Sequence, residues 1–240
     1  LVCHADLHRA VAATNRYDFV AAESTLEKWR DCTPSVPGLR YWAQVKSSLG
    51  QHSAFMGNFK SATEFFTEAL SAFARLSDPD TRKRDELQTA CYLAIVLTDW
   101  DDVDAKEVRR SVERVTGPLP AAATRLATTN ASEDRYAHHL LLRWLVFRGD
   151  ADVRQAYLES EDSWKEGEGH PWELIQLYRS ILLHSIDEKR ALALALNGAW
   201  LAFAEGQGPT VRLIGACCRA VAVAWGSPWP QAENELNDLV

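Results

Sequence analysis

The sequence is most informative first in what it holds little of. Over 240 residues it has one Met, 12 Gly and five Cys. Sustained period-two alternation is missing, which argues against a half-buried sheet. The basic residues number 26 against 33 acids, a formal net charge of −7. A general nucleic-acid surface needs clustered Lys and Arg to displace counterions. The densest basic groups here, Arg82-Lys83-Arg84 and Arg109-Arg110, have acids beside them, so no nucleic-acid partner is expected. Apolar runs long enough to span a bilayer are also lacking: "ALALALNGAWLAFA" (191–204) and "VRLIGACCRAVAVAW" (211–225) fall short of about 20 residues, and Arg212 and Arg219 interrupt the second. Both are expected to be core helices, with no membrane partner.

Cys3, Cys32, Cys91, Cys217 and Cys218 are odd in number and lack C-x-x-C spacing, the usage of a reducing compartment. The opening "LVCHADLHRA" carries charge early and has no apolar core of leader length. It also lacks an initiator Met, so the expectation is a cytoplasmic piece of a longer chain.

Apolar residues recur at three- and four-residue spacing almost throughout, which predicts an all-α protein. Gly, Pro and acid-rich turns place about ten to eleven helices near 3–14, 17–31, 38–56, 59–76, 84–99, 103–115, 133–148, 151–164, 171–184, 187–204 and 209–225. Short turns between them predict antiparallel hairpins. Residues 1–240 are expected to form one domain, and the Pro-, Ala- and Thr-rich connection 116–133 is where a division into halves would fall. Ser132 or Asp134 is placed to cap the helix that follows it.

Within 43–76, Leu49-Gly50 is followed by Gly57, Phe59, Ala62, Phe66, Ala69 and Leu70. This resembles the tetratricopeptide repeat, a unit of about 34 residues with Leu-Gly in its first helix and Ala-x3-Phe-x2-Ala in its second. Gly50 and Ala62 would let the two backbones approach, Phe66 and Leu70 would fill the space against the next unit, and Gly57-Asn58 would be the turn. The segment departs from the family at Lys46, which stands at the usual Trp position, and no Pro ends the unit. Segments 15–29, 98–112 and 147–160 keep fewer of these features. The resemblance implies a right-handed superhelical stack of helix hairpins, an α-solenoid with a concave face. It implies an interaction scaffold that is not an enzyme and has no cofactor. Its partner would be a protein or peptide, or another domain of the same longer chain. Carried over by position, the groove residues are Gln44, Ser47 and Gln51. Most of the nine tryptophans are expected to pack between hairpins, and Trp42 or Trp144, if exposed in the groove, would serve as an aromatic anchor.

Other patterns carry chemistry less well. His4 and His8 lie one helical turn apart, a spacing that can hold zinc, but the Glu of H-E-x-x-H is missing and they are read as ordinary histidines. Asp99, Asp101, Asp102 and Asp104 lack the Gly and distant Glu of a calcium loop, and are read as caps for the next helix. His138 and His139 are adjacent and diverge on a helix. "GEGHPW" (167–172) lacks the Lys of a phosphate loop. Arg179 and His184 fit R-x4-H, which resembles the motif of HEPN-domain ribonucleases. That resemblance implies metal-independent RNA cleavage with His184 as acid or base and Arg179 on the phosphate. It stands as the alternative reading, beside a peptide or small-molecule sensor.

Overall fold

The computed structural model describes residues 2–14, 18–32, 38–160, 163–164 and 172–184. The chain falls into two compact units, Leu1–Val115 and Thr116–Val240. Among the described residues there are ten α-helices and no strand, so the protein is all-α. The predicted helices at 187–204 and 209–225, and Cys217-Cys218, lie outside the described residues.

The first unit contains α1 (Val2–Thr14), α2 (Phe19–Leu26), a 3-10 turn (Glu27–Trp29), α3 (Leu39–Phe55), α4 (Phe59–Phe73), α5 (Pro79–Asp99) and most of α6 (Ala105–Thr116). Successive helices pack together here: α1 on α2, α2 on α3, α3 on α4 and α4 on α5. Their apolar stripes meet in clusters at the hairpin seams. Leu7, Ala10 and Ala13 of α1 join Ala22 and Leu26 of α2, Val45 and Leu49 of α3 and Phe65 of α4. A second cluster joins Leu39 and Ala43 of α3 to Ala69, Ala72 and Phe73 of α4.

The α3–α4 turn has a physical reason for its glycine. Gly57 adopts φ 77°, a conformation costly to any residue with a Cβ. Its N–H donates to the Ala54 carbonyl at 3.0 Å and the Asn58 N–H to the Ser53 carbonyl at 2.8 Å. That is a Schellman closure, which satisfies carbonyls left over at the end of α3. Gly50 also has a steric role: a Cβ there would lie 2.9 Å from the Phe66 ring. The Phe66 ring in turn stacks on Tyr92 of α5, centroids 6.2 Å apart and 18° from parallel.

Of the acids before α6, Asp104 caps the helix as the sequence suggests, while Asp99 lies at the end of α5. Asp104 Oδ1 accepts from the N–H groups of Lys106 at 2.9 Å and Glu107 at 3.3 Å.

The second unit differs from expectation. Residues 116–133, read as a connection, contain α7 (Leu119–Thr128). Pro118 and Pro120 flank its first residue, where the missing N–H groups would have no intrahelical partner anyway. Its buried Leu119, Ala122, Ala123, Leu126 and Ala127 follow the helical period. Three more helices follow: α8 (Arg135–Phe147), α9 (Ala151–Glu159) and α10 (Trp172–His184). The closest backbone approaches are α7 with α9 and α8 with α10, so these helices pair with the next but one. Asp134 stands at the α8 N-cap position but makes no side-chain cap bond. Its carboxylate instead receives Arg125 Nη1 at 2.5 Å, a charged partner that α7 brings to it.

No helix among the described residues is long and apolar enough to cross a membrane.

Candidate functional site

Helix α4 buries one face in the hairpin and leaves Thr67, Glu68 and Ser71 along another, with Arg75 in the turn just past its end. Their spacing of three or four keeps them on one side of the helix. With Ala72 and Trp42 of α3 they line an open cleft of about 280 Å³. That volume lies at the lower edge of small-molecule pockets, about 300–1,000 Å³, and suits one inserted side chain better than a cofactor.

The aromatic wall of the cleft is fixed from two sides. Trp42 Nε1 donates to the Cys32 carbonyl at 2.7 Å. Behind the ring lies Lys46, only 4% exposed. Its ammonium sits 5.2 Å from the Trp42 ring centroid and 5.1 Å from that of Phe65. It pairs with Glu68 Oε2 at 2.7 Å and donates to the Arg30 carbonyl. A buried ammonium is tolerated only when its donors are satisfied, and here a carboxylate, a carbonyl and two aromatic faces surround it. The cation ties α3 to α4 and to the turn after α2.

Of the five residues singled out for partner binding, the structure places only Trp42 on this cleft. Gln44, Ser47 and Gln51 lie elsewhere on α3. Gln44 Nε2 donates to Asp85 Oδ2 of α5 at 3.2 Å, beside Arg40 Nε at 2.9 Å. Ser47 is 7% exposed, its hydroxyl 3.1 Å from that of Thr89. Gln51 is half-buried and reaches back to the Ser47 carbonyl at 3.5 Å. Gln44 and Gln51 keep some surface, whereas Ser47 is enclosed at the α3–α5 seam. Trp144 is 2% exposed, a core residue of the second unit. Sequence periodicity marks a residue's helix face but not which neighbour will cover that face, so it did not reveal that Ser47 and Trp144 are enclosed. Glu68, Ser71 and Arg75 were missed. Their signal was the i, i+3/i+4 run of polar residues opposite Phe65, Phe66 and Ala69.

The second unit gathers its polar groups inside. His138, fully buried, has Nε2 2.9 Å from the Tyr157 hydroxyl, and its ring lies 5.3 Å from Trp164 and 5.9 Å from Trp172. Burial holds the imidazole pKa down to about 3, aided by the Arg179 and Arg125 charges, and pushes the Tyr157 phenol up. His139 turns the other way, its ring 5.5 Å from Tyr178, so the two adjacent histidines do diverge. Arg179 is 5% exposed with its guanidinium 4.2 Å from the Trp164 ring centroid. Desolvation lowers its pKa. The His184 side chain lies outside the described residues.

No protein-family model, no curated protein and no solved structure matches the chain.

Proposed function

We propose that the chain is a protein-interaction module that captures a segment of a partner protein, with the Trp42 cleft as its contact point. The observation that carries this reading is the cleft itself: a tryptophan face held rigid by the Cys32 carbonyl and the Lys46 ammonium, beside exposed hydroxyl, carboxylate and guanidinium groups. Aromatic rings fixed before binding lose little entropy, and a Trp next to Arg is a common composition for an interaction hot spot. Support for a tetratricopeptide-like stack comes from the consecutive hairpin packing of α1 to α5 and from the Gly50–Phe66 and Phe66–Tyr92 seams. In this reading the hairpins continue as a right-handed superhelix in the cytoplasm, and another domain of a longer chain is an equally suitable partner.

The test is selection of peptides from a random displayed library on the immobilised chain. Binding of the selected peptides is expected to be lost in Ser71→Trp, which fills the cleft from an exposed position, and weakened in Arg75→Glu. Selected peptides that bind both variants as well as the parent chain would refute the assignment of this cleft. Failure to enrich any peptide would refute the peptide-capture mechanism.

A further inference from the structure

We infer that His4 and His8 form a binding site for one transition-metal ion at the surface of α1. The two Nε2 atoms are 2.9 Å apart, and the rings meet edge to face with centroids 4.3 Å apart. Two imidazoles bound to one ion at about 2.0–2.1 Å, with an angle between about 90° and 110° at the metal, hold their nitrogens about 2.8–3.4 Å apart. The observed separation falls within that interval without any movement of the helix.

Helix α3 contributes to this preorganisation. The Tyr41 ring lies against His4, centroids 4.7 Å apart, and limits the ring's freedom from outside its own helix. Asp6, between the two histidines in sequence, is engaged elsewhere. It is 1% exposed, paired with Lys28 at 2.7 Å and Arg9 at 2.7 Å, and its carboxylate accepts from Trp29 Nε1 at 3.1 Å. The Lys28 ammonium holds its carboxyl below the usual carboxylate range. Among the described residues no third His, Cys, Asp or Glu completes a cluster. Among the described residues the site is a two-nitrogen chelate, with water able to fill the other positions.

Imidazole pairs of this kind favour Cu2+ over Ni2+ and Zn2+. Without metal, one imidazole donates its Nε2 proton to the other. On metal binding that donor moves its proton to Nδ1, and both Nε2 lone pairs point at the ion. Because both ligands sit on one turn of one helix, the second bond is intramolecular, and losing either ligand weakens binding by about 10² or more.

The experiment is titration of the whole chain with Cu2+ alone, followed by calorimetry and by NMR of the histidine ring protons. The ring protons of His4 and His8 are expected to broaden first, at one equivalent. His8→Gln, which keeps a polar group at an exposed position, and His4→Ala are each expected to reduce affinity about a hundredfold while circular dichroism remains that of the parent chain. Earlier broadening of other histidines, or an affinity in both variants equal to that of the parent chain, would overturn the assignment and leave surface adsorption.

Discussion

Helices α3 and α8 each bury more than half of their residues, and they are enclosed differently. Helix α3 buries Val45 and Leu49 on one side, yet it also carries Lys46, Ser47, His52 and Ser53 inward, most of them met by a polar group from a neighbouring element. Lys46 has Glu68 and the Arg30 carbonyl, Ser47 has Thr89, and His52 Nε2 lies 2.7 Å from the Thr14 hydroxyl. Helix α8 is buried nearly all round, at residues 137–142 and 144–146. A helix enclosed on nearly every side is a central one, even with His138 and His139 among its buried residues, whereas a helix whose inward polar groups are met by its neighbours is a seam between others. Lost packing should therefore damage the second unit most, and lost polar pairing the first.

The largest expected effect tests the second unit. Trp144→Ala removes a large buried side chain, a change that typically costs about 3–5 kcal/mol. Hydrogen exchange should accelerate throughout 119–183 while α3 and α4 keep their protection. Equal loss in both units would mean that the two do not respond separately.

Acid should act on both units through buried neutral imidazoles. Burial depresses His52 to about 4 and His138 to about 3 from an ordinary value of 6.5. A depressed imidazole binds its proton more readily when the chain is unfolded, so stability rises with pH across that interval. It is complete above about pH 6.5 and is lost as pH falls toward about 4 for His52 and about 3 for His138. The His52 contribution is on the order of 3 kcal/mol. The slope measured by denaturant titration between pH 4 and 6.5 should shrink in His52→Leu and in His138→Phe. An unchanged slope in both would exclude these histidines as its source.

Gly50→Ala should sharpen the account of the α3–α4 seam, because two opposed effects act there. Alanine gains about 1 kcal/mol of helix propensity over glycine, while crowding of a packed core costs about 1–3 kcal/mol. With the new Cβ 2.9 Å from the Phe66 ring, net destabilisation of about 1 kcal/mol is expected, and Phe66→Leu in the same chain should recover part of it. A denaturant midpoint raised by Gly50→Ala alone would show that the ring yields freely.

The smallest effect belongs to Ser47→Ala, which breaks one neutral hydrogen bond to Thr89. A loss of about 1 kcal/mol is expected from such a bond, with no change in the affinity of any peptide selected on the Trp42 cleft. Weaker peptide binding would mean that the α3–α5 seam helps to shape the contact surface.

The α3–α4 hairpin was legible because its packing is local. Gly57 needs a positive φ, Gly50 faces a ring sixteen positions later, and both requirements recur at short, fixed spacing. Helix α7 was hidden because Pro118 and Pro120 read as loop punctuation, although the first turn of a helix accepts proline. The cleft was half legible: Trp42 was identified, but its partners on α4 look like ordinary solvated residues until α3 is laid beside them.

The helical class, the positions of most helices and the turn at Gly57 were determined by the order of residues alone, since period, capping and backbone sterics act over a few positions. Tertiary structure alone decided that Ser47 and Trp144 are enclosed, that Lys46 is caged beneath Trp42, and that α8 pairs with α10. Those outcomes depend on which distant surface covers a given face, and covering is a property of the folded chain rather than of any window within it.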